Sequence, residues 1–169
     1  MATYSIYKGH YIRPYRNVRL RTMPEAASQT FIVGDPLILA TATDKGHQVK
    51  IAAADPTAGT VVGIAMCPAT GVEGSDIVVA MLDEQAEFVM VVGAAQVLDN
   101  DDIADEFGIV ADATNLIWRL DDTETTAKVF RVVAFGPKPD GSAGNCVAGD
   151  INGAYICTAA AGVQGLLRK

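Results

Sequence analysis

The densest group of potential metal ligands is the acidic run DNDDIADE at residues 99–106. Its alternating acids resemble the start of a calcium-binding loop, which places its ligands at fixed positions. Counted from Asp99, the fifth position is Ile103, the turn glycine is replaced by Ala104, and the bidentate twelfth ligand is replaced by Val110. We therefore interpret the run as an acidic loop or a short helical turn on a solvated face.

Groups that could support nucleophilic catalysis are sparse. Cys67 and His47 could form a thiolate pair, but nothing beyond their presence supports one. The sequence GSAG at residues 141–144 is not followed by a helix signal, as a serine elbow would require. No glycine-rich loop ends in Gly-Lys-Ser or Gly-Lys-Thr, so a phosphate loop is not predicted. We predict that the protein is not an enzyme and uses neither a cofactor nor a metal.

The three cysteines, Cys67, Cys146 and Cys157, are far apart in sequence and have no metal-ligand spacing. An odd number cannot pair completely within one chain, so reduced, buried thiols and synthesis in a cytoplasm are expected. The N-terminal residues lack the apolar run of a signal peptide, and no segment approaches the roughly 20 apolar residues that span a bilayer. We expect no membrane association.

Positive charge is concentrated at the N-terminus. Residues 1–22 contain five basic residues and no acid, which leaves eight basic residues against all 20 acids, a net charge of −12, for the rest of the chain. A basic segment on an acidic body indicates an interaction arm. The arm could bind an acidic protein surface, bind nucleic acid, or be a solvated segment without a partner. The acidic remainder would repel a polyanion, so direct nucleic-acid binding is not expected.

The segment 11–21 alternates polar and apolar residues, as an extended chain does, and Pro14 excludes it from the centre of a sheet. Such an arm could lie along the sheet edge of another protein. We therefore predict that residues 1–29 form an extended basic arm and linker. The candidate contact residues are Arg13, Tyr15, Arg16, Arg19 and Arg21.

Short apolar runs, separated by glycine, proline and Asp-Pro turns, occupy the rest of the chain. This pattern is typical of a sandwich or barrel and predicts a compact all-β fold with at most one short helix. We assign residues 30–169 to the β domain, with one part at 30–95 and additional strands, or a second lobe, and a tail at 96–169. Trp118 lies in an apolar run and is predicted to belong to the core.

Four pieces of the first half follow a recognisable order. They are GDPLIL at 34–39, the turn DKG at 44–46, VVGIA at 61–65 and the glycine-led strand GSDIVVAML at 74–82. This order resembles the head-decoration, or cement, proteins of tailed phages, which have a compact β-tulip-like fold. The resemblance covers the order of elements in residues 31–92, a little over a third of the chain.

The resemblance implies a structural protein of the virion. Such proteins bind the outer capsid surface, often as homotrimers, and clamp neighbouring copies of the major capsid protein after synthesis in the host cytoplasm. The arm residues named above would then contact a capsid subunit. A receptor- or carbohydrate-binding β module of a virion surface is the alternative.

Overall fold

A computed structural model of the chain describes residues 12–40, 47–57, 59–83, 85–92, 100–102, 104–112, 117–121, 123–135, 146–148, 155–157 and 162–167. Regular structure in these residues is β-strand, apart from a 3₁₀ turn at Asn100–Asp102. The predicted all-β fold is therefore confirmed. The turn lies inside the acidic run, as expected; Asp99 lies outside the described residues.

Thirteen strands lie in the described residues. In chain order they are β1 (Arg13–Arg16), β2 (Arg19–Pro24), β3 (Pro36–Leu39), β4 (Val49–Ile51), β5 (Val61–Ala65), β6 (Asp76–Met81), β7 (Glu87–Val92), β8 (Glu106–Asp112), β9 (Ile117–Asp121), β10 (Phe130–Phe135), β11 (Cys146–Ala148), β12 (Tyr155–Cys157) and β13 (Gly162–Leu167).

Six strands form a sheet in the order β1-β7-β13-β10-β8-β9. The pairs within this order are antiparallel, but β9 also pairs with β7 in parallel, with Val91 opposite Arg119 and Val92 opposite Leu120. Strands β7, β13, β10, β8 and β9 thus form a closed ring, which we call the barrel. Closure removes exposed strand edges from the ring.

Five strands form a second sheet in the order β2-β6-β5-β3-β4, which we call the curved sheet. Its two outer strands approach each other at one end, where Glu25 forms a parallel bridge with Val49. There the N–H of Ala26 donates a hydrogen bond of 2.9 Å to the Val49 carbonyl. The curved sheet is therefore joined at this end, while the earlier part of β2 lies at its edge.

Two hydrophobic cores lie on opposite faces of β6. Ile77 and Val79 belong to the core of the curved sheet, whereas Ala80 belongs to the core shared with the barrel. This division follows from the alternation of side chains along a strand. The largest buried side chains of the two cores are Phe88, Phe130, Ile109 and Leu120 on the barrel side, and Phe31 and Leu37 in the curved sheet.

A buried hydrogen bond connects the barrel to the curved sheet. The indole N–H of Trp118, in β9, donates to Oδ1 of Asp35 at 2.9 Å. Asp35 precedes β3, and its Oδ2 accepts the N–H of Ile32 at 2.8 Å. Both Trp118 and Asp35 are buried, so the prediction of Trp118 as a core residue is confirmed.

Part of the predicted N-terminal arm lies within the two sheets. Residues 12–24, which we assigned to an extended arm, form β1 and β2 within the fold, because Ile12 and Met23 are buried in its two cores. The chain passes from the curved sheet to the barrel between β6 and β7, before residue 95. Apolar runs indicate where strands occur, but a strand's partners depend on distant residues. Residues 1–11 lie outside the described residues.

Replacing Trp118 by Phe should lower the free energy of unfolding by about 1.5–3 kcal/mol, because the buried carboxylate of Asp35 loses a hydrogen-bond donor. Urea unfolding, followed by circular dichroism, would measure the loss. In an Asp35→Ala background the same substitution should cost much less. Equal losses in both backgrounds would show that the indole N–H does not stabilise the fold through Asp35.

Candidate partner-binding strand

The five predicted contact residues lie on one continuous segment of the fold. Arg13, Tyr15 and Arg16 belong to β1, and Arg19 and Arg21 belong to β2. Strand β1 pairs with β7 at the edge of its sheet, as Pro14 requires. The side chains of Arg13 and Tyr15 lie outside the described part of the chain. The candidate residues thus lie on two successive strands, β1 at the edge of the six-stranded sheet and β2 at the edge of the curved sheet.

A corner and two buried residues fix the course of this segment. Asn17 has a φ of 53°, in the left-handed region that asparagine tolerates better than most residues. Val18 follows it and packs, half-buried, on the barrel core. Ile12 and Met23 are buried at the two ends. The backbone between them is therefore held in place, which limits the entropy that a partner must remove on binding.

Exposed arginines occupy the segment between the buried anchors. Arg16, Arg19 and Arg21 are all exposed. Arg19 Nε lies 3.7 Å from Asp83 Oδ2, and the Arg19 side chain remains 86% exposed. An exposed pair of this kind contributes only about 0–1 kcal/mol. Among the described residues Arg21 has no ion-pair partner. Two guanidinium groups on β2 can therefore bind an external acid at low cost.

An exposed apolar side chain accompanies the arginines. Leu20 is 62% exposed and lies opposite Ala80, next to the opposed pair of Thr22 and Val78. Opposed residues share one face of a sheet, so Leu20 and the 37% exposed Val78 are neighbours on the same face. A single exposed leucine is ordinary. Arg19 and Arg21 lie on the other face of the same edge strand, because successive side chains of a strand alternate. We call this strand edge, with Arg19, Leu20 and Arg21, the β2 surface.

The outer edge of β2 is open for most of its length. In the described part of the chain, β2 pairs with β6 alone, from Arg19 opposite Met81 to Pro24 opposite Asp76. An edge strand carries backbone N–H and C=O groups that can pair with an extended peptide. The arginines add a preference for negative charge. The geometry therefore suits an extended, acidic segment of another protein.

Glu25, which the sequence placed in a linker, fixes the end of this strand. Its carboxylate is fully buried and accepts hydrogen bonds from the N–H of Thr70 (2.9 Å), the hydroxyl of Thr70 (2.7 Å) and the N–H of Gly71 (2.8 Å). Burial raises its pKa, but these three hydrogen bonds outweigh that effect, so the pKa of Glu25 is lowered. No local sequence signal identifies this carboxylate, because its donors are 45 and 46 residues away.

A second acidic group lies away from the β2 surface. Hydrogen bonds from the N–H of Ala127 and from the N–H and hydroxyl of Thr126 lower the pKa of Glu124 to about 2. Partial burial, and then the negative charges of Glu124 and Asp121, raise the pKa of Asp55. Within the described ranges, no group of three or more His, Cys, Asp or Glu side chains could hold a metal ion. A local turn explains Glu124, whereas Asp55 lies beside Glu124 and Asp121, which are distant from it in sequence.

Comparison of the chain with protein-family models, curated proteins and solved structures gives no match. The resemblance of residues 31–92 to head-decoration proteins therefore stays a prediction. No described helix is long and apolar enough to span a membrane. A function must be proposed from the chemistry and placement of this chain's own residues.

Replacing Glu25 by Gln should lower the free energy of unfolding at neutral pH by about 1–3 kcal/mol, because an amide cannot accept all three hydrogen bonds. A lowered folded-state pKa means that ionised Glu25 stabilises the protein above its ordinary pKa of 4.5. That contribution is lost as the pH falls through the lowered value. The difference between the two proteins should therefore shrink in acid, as measured by urea unfolding at a series of pH values.

The matched control is Glu73→Gln, which removes the same charge from an exposed position in the neighbouring loop. This variant should unfold within about 0.5 kcal/mol of the parent at neutral pH. A pH-independent effect of Glu25→Gln would contradict a stabilising role for the ionised carboxylate.

Proposed function

We propose that this protein binds the outer surface of a tailed-phage capsid and stabilises the head by clamping neighbouring major capsid subunits. The β2 surface carries this proposal, because it offers an exposed basic strand edge on an otherwise acidic chain. The order of segments within residues 31–92, which resembles that of head-decoration proteins, supplies the class of partner. The all-β fold is compatible with that class.

The partner would be an extended acidic segment of a capsid subunit, laid along β2. Its backbone would pair with the open edge, and its carboxylates would bind Arg19 and Arg21. Leu20 would become buried, a change that favours binding by about 1.5–3 kcal/mol for a fully buried leucine. Asp83, which faces Arg19, would be displaced from a weak pair.

A second copy of β2 fits this edge poorly. If two copies paired antiparallel about Leu20, Arg19 of each would lie opposite Arg21 of the other. Directly opposed like charges destabilise a strand pair. The same arginines that attract an acidic partner therefore prevent edge-to-edge association of free protein. A homotrimer on the capsid, as the resemblance implies, would have to use another surface.

Modest contacts are sufficient for this function. A capsid presents many identical sites, and each bound copy stabilises the assembled shell over its separated subunits by mass action. A copy that contacts two subunits at once also gains from the high effective concentration of the second contact. The shell then resists the outward pressure of packaged DNA.

The first test is co-sedimentation of the purified protein with undecorated, expanded capsids of a phage that encodes it. Bound copies are counted per shell. We expect saturable binding at a stoichiometry related to the shell's symmetry, weakening as salt screens the arginines. A folded protein that does not bind would contradict the capsid proposal and favour the carbohydrate-binding alternative, which a glycan array would then examine.

Arg21→Glu should weaken capsid binding roughly tenfold or more, equivalent to about 1.4 kcal/mol, by placing a negative charge against an acidic partner. Point substitution is preferable to deletion of residues 1–22, which would remove β1 and most of β2. The matched control is Lys128→Glu, the same charge reversal away from β2. Equal binding by the two variants would show that the β2 surface is not the contact.

A further inference from the structure

Two of the three cysteines are opposed across a strand pair. Strands β11 and β12 form an antiparallel two-stranded sheet in which Cys146 is the register partner of Cys157. We propose that Cys146 and Cys157 form a cross-strand disulfide when the protein enters an oxidising environment, and that Cys67 remains a thiol. This proposal does not depend on the capsid function.

The register supplies the spacing that a disulfide needs. Directly opposed residues of an antiparallel pair have Cα atoms about 4.5 or 5.5 Å apart, depending on their hydrogen-bonding position. Disulfides join Cα atoms about 4.4–6.8 Å apart. Cysteines that are 11 positions apart in sequence meet this requirement here only because the strands pair in this register.

Such a cross-link would act on a weak element. Each strand of the β11–β12 sheet has three residues, and a two-stranded sheet is marginally stable alone. β11 also lies beside β7 and β13 of the barrel. A disulfide would link the two strands covalently and reduce the conformational entropy of the unfolded chain. Oxidation should therefore hold the hairpin closed.

Cys67 belongs to a different part of the fold. It follows β5 in the curved sheet and is half-buried. Its sulfur accepts a hydrogen bond from the N–H of Val78 at 3.3 Å. The pairing of Cys146 with Cys157 leaves Cys67 as the odd thiol, held in the curved sheet.

The reaction is a balanced thiol–disulfide exchange. The thiolate of one cysteine attacks oxidised glutathione and releases one glutathione thiol. The thiolate of the other then attacks the mixed disulfide and releases the second glutathione. The protein loses two hydrogen atoms, and the glutathione disulfide is reduced to two thiols. A reducing cytoplasm holds both cysteines as thiols, and release to an oxidising medium drives the reaction forward.

The test uses the full chain in its native state. The protein is incubated with oxidised glutathione, alkylated with iodoacetamide after unfolding, and digested without reduction for peptide mass spectrometry. We expect one linked peptide that joins Cys146 to Cys157 and an alkylated Cys67. Three alkylated cysteines, a bridge that includes Cys67, or disulfides between chains would each overturn the proposal.

A second measurement reports on the hairpin itself. Hydrogen exchange of the amides in β11 and β12 should slow roughly tenfold or more on oxidation. Cys67→Ser should retain this response, and Cys146→Ser should abolish it. An equal response in Cys146→Ser and the parent would overturn the proposal. The peptide mapping needs no variant, so it remains decisive even if a substitution prevents folding.

Discussion

The hydrogen bond from Trp118 to Asp35 is a buried polar contact between the barrel and the curved sheet. It joins residues 83 positions apart and lies where both partners are buried. Asp35 also closes the turn before β3 through Ile32, and its carbonyl accepts the N–H of Ala65 in β5. Asp35 therefore closes the turn at Ile32, binds β5 through Ala65 and contacts β9 of the barrel through Trp118. A buried carboxyl group is stable only when its oxygens are hydrogen-bonded, so the bonds from Trp118 and Ile32 both stabilise Asp35 in this position.

Strand β2 is the outer strand of the curved sheet. Strand β6 pairs with β5 along one edge, and β2 pairs with its other edge. Ile12 and Met23 hold the two ends of the β1–β2 segment in separate cores, and Glu25 attaches the end of β2 to the loop at Thr70 and Gly71. The edge is therefore open but rigid. A rigid edge is a better receptor for an extended peptide than a free arm, because less conformational entropy is lost on binding.

Charge separates the proposed binding surface from the rest of the molecule. Arg19 and Arg21 project from an edge strand of a chain whose residues outside 1–22 carry a net charge of −12. In the proposed function, the acidic remainder would keep copies in solution apart, and the arginines would direct the strand edge toward an acidic partner. The exposed side chains of Arg19, Leu20 and Arg21 contribute little to the stability of the fold. The residue types at these positions can therefore suit a binding partner without a loss of stability.

The sequence by itself determined the all-β class, the strands at Val61–Ala65 and Glu87–Val92, the acidic turn and the burial of Trp118. These features follow from the local alternation of polar and apolar residues and from turn residues, both of which can be seen in a single sequence. Tertiary structure decided which strands pair, how the ring closes through β7 and β9, and that the basic segment belongs to both sheets. It also decided that Glu25 is buried and that Cys146 opposes Cys157. Each of these depends on residues that are distant in sequence, and local patterns do not encode their register.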